Sequence, residues 1–181
     1  MISLRSKIAA KLLNHFFINP DDRVYINELS KNLKVDKRNL VKKLKELEKE
    51  GILKRENKGN LKLYSINRNY PLYTEFRTIV LKTIGFEEKL RRILQKIEGV
   101  KEAYLYGSYA TNKMDVHSDI DLLVVGNHNL LSLQSKLNKL QQEIKREINI
   151  VNMDEHDFKK RIKNKDPFIN ELLKKKHIRI V

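Results

Sequence analysis

Gly107-Ser108, a ten-residue spacer and Asp119-Ile120-Asp121 gather the residue types of a phosphate and metal site. They lie in AYLYGSYATNKMDVHSDIDLLVVG, Ala103 to Gly126, where apolar residues run into the Gly-Ser and out of the Asp-x-Asp. That pattern predicts two neighbouring strands with a short excursion between them. In a strand, Asp119 and Asp121 project from one face, with Ile120 and Leu122 on the other. Two adjacent carboxylates resist joint ionisation unless a cation sits between them. Hard oxygen ligands favour Mg²⁺, usually shared with substrate phosphates. Gly107 permits close backbone approach, and Ser108 offers a hydroxyl and an N–H at the expected start of a short helix. A lone Asp-x-Asp is common on solvated strand ends, and a lone Gly-Ser is only a turn. Their combination, each joined to an apolar strand, outlines a nucleoside-triphosphate site.

At these residues the chain resembles the minimal nucleotidyltransferase family of the DNA polymerase beta-like superfamily, over roughly Phe86 to Val181. The resemblance implies a mixed β-sheet with flanking helices and transfer of a nucleoside monophosphate from an NTP, with loss of pyrophosphate. It makes Asp119 and Asp121 the catalytic, Mg²⁺-binding carboxylates of a two-metal site, and Gly107 and Ser108 the holders of triphosphate oxygens. Where the family often carries Arg-Gly this chain has Thr111-Asn112, and Lys113 is the candidate for the missing positive charge at the nucleotide.

The main departure is at the third carboxylate, which active members of the family carry on a later strand. The matching strand here is Glu147-Ile148-Asn149-Ile150-Val151-Asn152, and Asn149 stands at the carboxylate position. Asparagine can offer a carbonyl oxygen to a metal but carries no charge and cannot act as a base. Glu147 lies on the same strand face and is the candidate substitute, though two residues along a strand is roughly 6–7 Å. Nucleotide binding is therefore expected, and the sequence leaves turnover and a complete two-metal set open.

These residues need elements to hold them. The chain has 181 residues, 40% hydrophobic and 34% charged, enough for two small globular domains. No apolar run approaches the ~20 residues that span a bilayer, and Arg5, Lys7 and Lys11 are spread through the apolar start rather than placed ahead of it as in a signal peptide. The absence of cysteine excludes disulfides and thiolate metal sites and fits a cytoplasmic protein. Five histidines without i, i+4 pairing argue against zinc. The formal net charge is +15. Residues 1–69 hold 17 Lys/Arg against 8 Asp/Glu, a net of +9, and the longer remainder holds 21 against 15, a net of +6. The first part is the more basic per residue, which favours a polyanionic partner.

In that first part the spacing predicts a helix over Ser3–Phe17, a short helix over Tyr25–Leu33, and a third capped by Asp36, running to about Glu50 and stopped by Gly51. Ile52–Arg55, a turn at Asn57–Asn60 and Leu61–Ile66 predict a β-hairpin. On the third helix Leu40, Leu44 and Leu47 form the apolar stripe. Between Lys37 and Lys45 there are five basic residues and no acid, with Arg38, Lys42, Lys45 and Lys49 opposite the leucines. Cations near a helix N-terminus oppose its dipole, a cost that an external anion offsets. Residues 3–67 resemble a winged helix-turn-helix domain of bacterial and archaeal transcription regulators. That resemblance implies double-stranded DNA at Lys37, Arg38, Asn39, Lys42 and Lys43, and a wing carrying Arg55, Lys58 and Lys62. A winged helix used only for protein contact is the alternative.

The expected organisation is α+β: a winged helix-turn-helix over 1–69, a connecting helix within 70–85, and a nucleotidyltransferase-like domain over 86–181. Tyr73, Phe76 and Ile79 are open to packing within the chain or against a second copy in a homodimer. Later elements are expected as helices over Glu87–Ile97, Leu130–Lys145, Glu155–Lys163 and Pro167–Lys176, with an edge strand over Ile178–Val181. Two functions follow. One is a DNA-binding regulator that binds NTP-Mg²⁺ and transfers NMP to a hydroxyl of a protein or small molecule. The other is a non-catalytic nucleotide-sensing or antitoxin-like module with a partner toxin.

Overall fold

The computed structural model describes residues 6–115 and 117–181. The chain divides into two compact units, the first ending at Glu88 and the second running from Lys89 to Val181.

In the first unit, Ser6 opens α1 (Lys7–Ile18) by accepting the Ala9 N–H. Residues 3–5 of the expected helix lie outside the described residues. α2 (Ile26–Leu33) ends at Lys34 in the left-handed region, and α3 (Lys37–Lys49) starts at Asp36, whose carboxylate accepts the Asn39 N–H at 3.0 Å. Gly51, at φ +76°, turns the chain out of α3 where a side chain would be strained. The hairpin follows as β2 (Leu53–Lys58) and β3 (Leu61–Ile66), so the first strand continues through Asn57 and Lys58, which were expected in the turn. A two-residue strand, β1 (Val24–Tyr25), pairs antiparallel with Tyr64 and Leu63 and completes a sheet of order β1-β3-β2. Leu12, Phe16, Leu29, Leu40, Leu44 and Leu47 are all buried, and each contributes about 1.5–3 kcal/mol relative to exposure. α4 (Tyr73–Thr83) lies on α1: both Tyr73 and Phe76 meet the Phe17 ring at 5.7 Å, and Arg77 donates to the Phe17 carbonyl. Tyr73 and Phe76 thus have partners within the chain, while Ile79 is exposed.

α5 (Phe86–Leu94) runs across the boundary at Lys89. The second unit is built on β4 (Val100–Tyr106), β5 (Ile120–Gly126), β6 (Ile148–Met153) and β7 (Ile178–Arg179), in the order β6-β5-β4-β7. β5 and β6 are parallel and the other pairs antiparallel, so the sheet is mixed. A parallel pair needs a crossover, and α7 (Leu130–Ile144) supplies it. Its Asn129 cap accepts from Ser132 N–H at 2.9 Å, and Leu133, Leu137, Leu140 and Ile144 form its buried stripe. α8 (Glu155–Lys163) and α9 (Pro167–Lys174) begin at Asp154 and Asp166, which accept from Asp157 and Ile169 N–H. One sheet face packs Tyr104, Leu123, Val125 and Met153 against Phe158, Ile169 and Leu172 of these two helices. Leu105, Leu122 and Val124, of the opposite parity, are also fully buried, so both faces are covered. Among the described residues no helix is long and apolar enough to cross a membrane.

Candidate functional site

Strand register sets the site. Asp121 lies opposite Tyr106 of β4 on one side and Asn149 of β6 on the other. Partners in register project to the same face, so Tyr106, Asp121 and Asn149 form a row at the end of the sheet. Asp119 precedes β5, and its Oδ2 accepts the Asn149 side-chain N–H at 3.2 Å. Asn149 therefore stands beside both aspartates, where the sequence places it.

Gly107 opens α6 (Gly107–Ala110) at φ +66°. A Cβ added there would lie 2.2 Å from Asp121 Oδ2, so the glycine is required by the carboxylate packed over it as well as by its backbone angle. Ser108 is half-buried, and its carbonyl accepts the Lys113 N–H at 2.9 Å, which folds the turn after α6 back on itself. α6 is a single turn, so its dipole is slight. Positive charge comes from side chains instead: Lys113 lines a cleft of about 460 Å³ with Gly107 and Tyr106. The opposite wall is α9 and the turn after it, with Phe168, Leu172, Lys175 and Lys176.

Electrostatics agree with a cation site. Asp121 is held above the ordinary carboxylate range, first by burial and then by the charge of Asp119, against the lowering effect of a hydrogen bond from Asn149. The Tyr106 phenol is raised as well, by burial and then by the Asp121 charge. Two neighbouring half-buried carboxylates suit one divalent ion with hard oxygen donors. The amide of Asn149 adds a neutral donor and relieves part of the repulsion, but supplies no base. Among the described residues no third acid, histidine or cysteine joins the pair. Glu147 is not gathered with the two aspartates; it lines a surface depression with Asn138, Gln141 and Lys145 at the end of α7.

Sequence reasoning did not find Arg146, which holds the loop leading to Asp119. Its Nη1 donates to the carbonyls of Asp115 at 2.6 Å and Ser118 at 2.8 Å. Asp115 stiffens the same loop by accepting from His117 N–H and Ser118 Oγ. A single arginine before a strand has no sequence signature. Phe168, Lys175 and Lys176 were missed for a similar reason, since they come to the cleft from a helix some sixty residues after Gly107.

The basic residues of the first unit form a separate set. Lys37, Arg38, Asn39 and Lys42 are exposed on α3, as are Lys45 and Lys49. Lys43 is half-buried and paired with Glu46. Arg55 pairs with Glu48 of α3 at 3.3 Å, which places it at the base of the hairpin, while Lys58 and Lys62 stand exposed at its tip.

Residues 88–177 match the sequence family described as Polymerase beta, Nucleotidyltransferase. Two solved structures are similar to part of the chain. One is a crystal structure of a toxin-antitoxin with AMP-PNP, 17% identical, covering 52% of this chain and 72% of that one, with a TM-score of 0.39. The other is a candidate nucleotidyltransferase from Sulfolobus solfataricus, 20% identical, covering 41% of this chain and 68% of that one, with a TM-score of 0.29. No curated protein matches the chain.

Proposed function

We propose that the polymerase beta-type nucleotidyltransferase domain of residues 88–177 binds a nucleoside triphosphate with Mg²⁺, and binds it without efficient turnover. The observation that carries this reading is the row of Asp121 and Asn149 with Asp119 hydrogen-bonded to the asparagine, and with Gly107 packed on Asp121. Asp119 and Asp121 would hold one Mg²⁺, and that ion would neutralise phosphate charge and orient the triphosphate. Lys113 adds a cation on the cleft side. Gly107 lets phosphate oxygens approach the backbone without a side chain between them. Transfer to a hydroxyl also needs a group that takes the hydroxyl proton, and the amide at 149 cannot do so.

Calorimetric titration of the full chain with ATP and Mg²⁺ tests the proposal. Saturable binding that is lost in Asp121→Ala, with no pyrophosphate released, is the expected result. Absence of binding in the wild-type protein would overturn the nucleotide reading. Rapid pyrophosphate release dependent on Asp121 would overturn the non-catalytic part and favour NMP transfer to a hydroxyl acceptor.

The first unit has its own proposed role, duplex DNA binding through a winged helix-turn-helix. Support comes from the exposed run Lys37, Arg38, Asn39 and Lys42 at the start of α3, and from Lys58 and Lys62 at the hairpin tip. A helix start loaded with cations and free of acids in its first turn is electrostatically unfavourable alone and favourable against phosphates. On this view the chain is a DNA-bound regulator that senses nucleotide.

A further inference from the structure

The cleft beside the carboxylates is larger and more aromatic than a triphosphate requires. Its volume of about 460 Å³ falls within the ordinary range for small-molecule sites. Gly107 and Lys113 lie on its sheet side, and Gly107 is in contact range of Asp121. Its far wall is Phe168 with Leu172 on α9. Phe168 and Tyr106 meet edge to face, with ring centroids 5.7 Å apart and planes at 76°. Both rings are only half-buried, although they pack against the buried cluster of the sheet face. Lys176 at the rim has no ion-pair partner among the described residues, whereas Lys175 is engaged by Glu171.

We infer that this cleft seats the base of the bound nucleotide against Phe168, and that the base is a purine. The inference rests on the nucleotide-binding reading above and deepens it. With the triphosphate at Gly107, Lys113 and the aspartates, the rest of the ligand has the cleft as its continuing path toward α9. The half-open aromatic surface gives it a face to stack on, and base–aromatic stacking is favourable for any base and strongest for the wider purine ring. The Glu171 carboxylate at the rim, paired with Lys175 through Oε1, is also an acceptor for an exocyclic amine such as adenine, guanine and cytosine carry. Phe168 is thus a binding residue whose partner is the base, distinct from the groups that hold phosphates.

Calorimetry on the full chain with Mg²⁺ separates the two claims by comparing ATP, GTP, UTP, CTP and inorganic tripolyphosphate. Phe168→Leu keeps an apolar side chain on α9 and removes the ring, and Phe168→Tyr restores a ring. The expected result is that ATP and GTP bind more tightly than UTP and CTP. Phe168→Leu then weakens the purine nucleotides by about 5- to 150-fold, the range that loss of one stacked base gives, and leaves tripolyphosphate unchanged. Phe168→Tyr recovers most of the affinity. If tripolyphosphate binds as tightly as ATP, or Phe168→Leu binds ATP like the wild type, the base seat is wrong while the phosphate site stands. If Phe168→Leu weakens tripolyphosphate equally, Phe168 is structural and the inference fails. If no phosphate compound binds, the underlying nucleotide reading fails and takes this inference with it.

Discussion

Gly107→Ala is a sharp test of the site because its effect divides into two parts of different origin. The first is backbone strain. At φ +66° an L-residue costs roughly 1–2 kcal/mol, partly offset by about 0.4–1 kcal/mol from a less flexible unfolded chain. The second is the carboxylate. A new methyl would lie 2.2 Å from Asp121 Oδ2, 3.3 Å from Cγ and 3.7 Å from Cβ, so the oxygen must swing away. Forcing that side chain off its rotamer costs about 0.5–1.5 kcal/mol. The sum is a loss of about 0.5–3 kcal/mol in domain stability, and any Mg²⁺-dependent nucleotide affinity falls at least tenfold, since Asp121 is displaced. In an Asp121→Ala background the oxygen is gone and the remaining Cβ is at ordinary contact distance, so only the backbone part persists. Amide hydrogen exchange of peptides covering β4 and β5, measured in the full chain against urea, reports the stability of this domain without interference from the other. The double-mutant cycle is expected to show a coupling of about 0.5–1.5 kcal/mol, beyond the few tenths seen for independent sites. Equal cost of Gly107→Ala in both backgrounds would refute the claim that Asp121 sits against Gly107.

Asn149→Asp replaces a hydrogen-bond donor to Asp119 with a third negative charge. Thermal unfolding is expected at lower temperature without metal and to be raised by Mg²⁺ more than in the wild type; an equal Mg²⁺ effect in both proteins would show that position 149 is not part of the cation site. The raised pKa of Asp121, caused by burial and then by Asp119, means that the folded state binds its proton more tightly than the unfolded state does. Stability of the metal-free protein therefore falls as pH rises through that raised value, from the ordinary carboxylate range upward. Urea unfolding followed by tyrosine fluorescence should show this decline in the wild type and a flatter profile in Asp121→Asn; parallel profiles would contradict it. For the first unit, Lys42→Ala should weaken duplex binding across sequences and reduce the salt slope by about one unit. An unchanged slope in fluorescence anisotropy titrations would remove Lys42 from the DNA contact.

Local chemistry made much of the architecture legible. Asp36 caps the helix it was expected to cap, and Asp154 and Asp166 open the two late helices at their expected starts, because a short carboxylate before an apolar periodic run has one favourable local use. The row of Asp121 and Asn149 was readable because side chains alternate along a strand, and buried Ile148 puts the asparagine on the other face. The strand β1 was not readable, since two residues carry no periodicity and Val24-Tyr25 is extended only because β3 pairs with it. The α4 helix was legible, but its partner was not: an apolar stripe does not say what covers it, and Phe17 sixty residues earlier does. The cleft is the same case. Tyr106 and Phe168 are 62 positions apart, and their meeting is a property of the sheet order and of α9 returning across it. Glu147 shows the limit of parity: its carbonyl accepts the Ile120 N–H at 3.0 Å, so it continues the strand pairing, yet among the described residues its side chain makes no third member of the acidic pair.

Asn149 also bears on what the site is suited to do. Burial, and after it the charge of Asp119, holds Asp121 above the ordinary carboxylate range, and a third carboxylate in the same row would add to that repulsion. An amide in that position does the reverse, donating to Asp119 and stabilising the ionised pair without metal. The site is thereby less dependent on a cation for its own stability and holds fewer negative charges with which to bind one. On the proposed reading, both effects would favour reversible occupancy by Mg²⁺ and nucleotide. A protein that must register nucleotide level needs that reversibility, whereas a transferase needs the charge and the base that Asn149 lacks. On the proposed reading the residue that removes the proton acceptor would also set the metal affinity, and Asn149→Asp should change the two together.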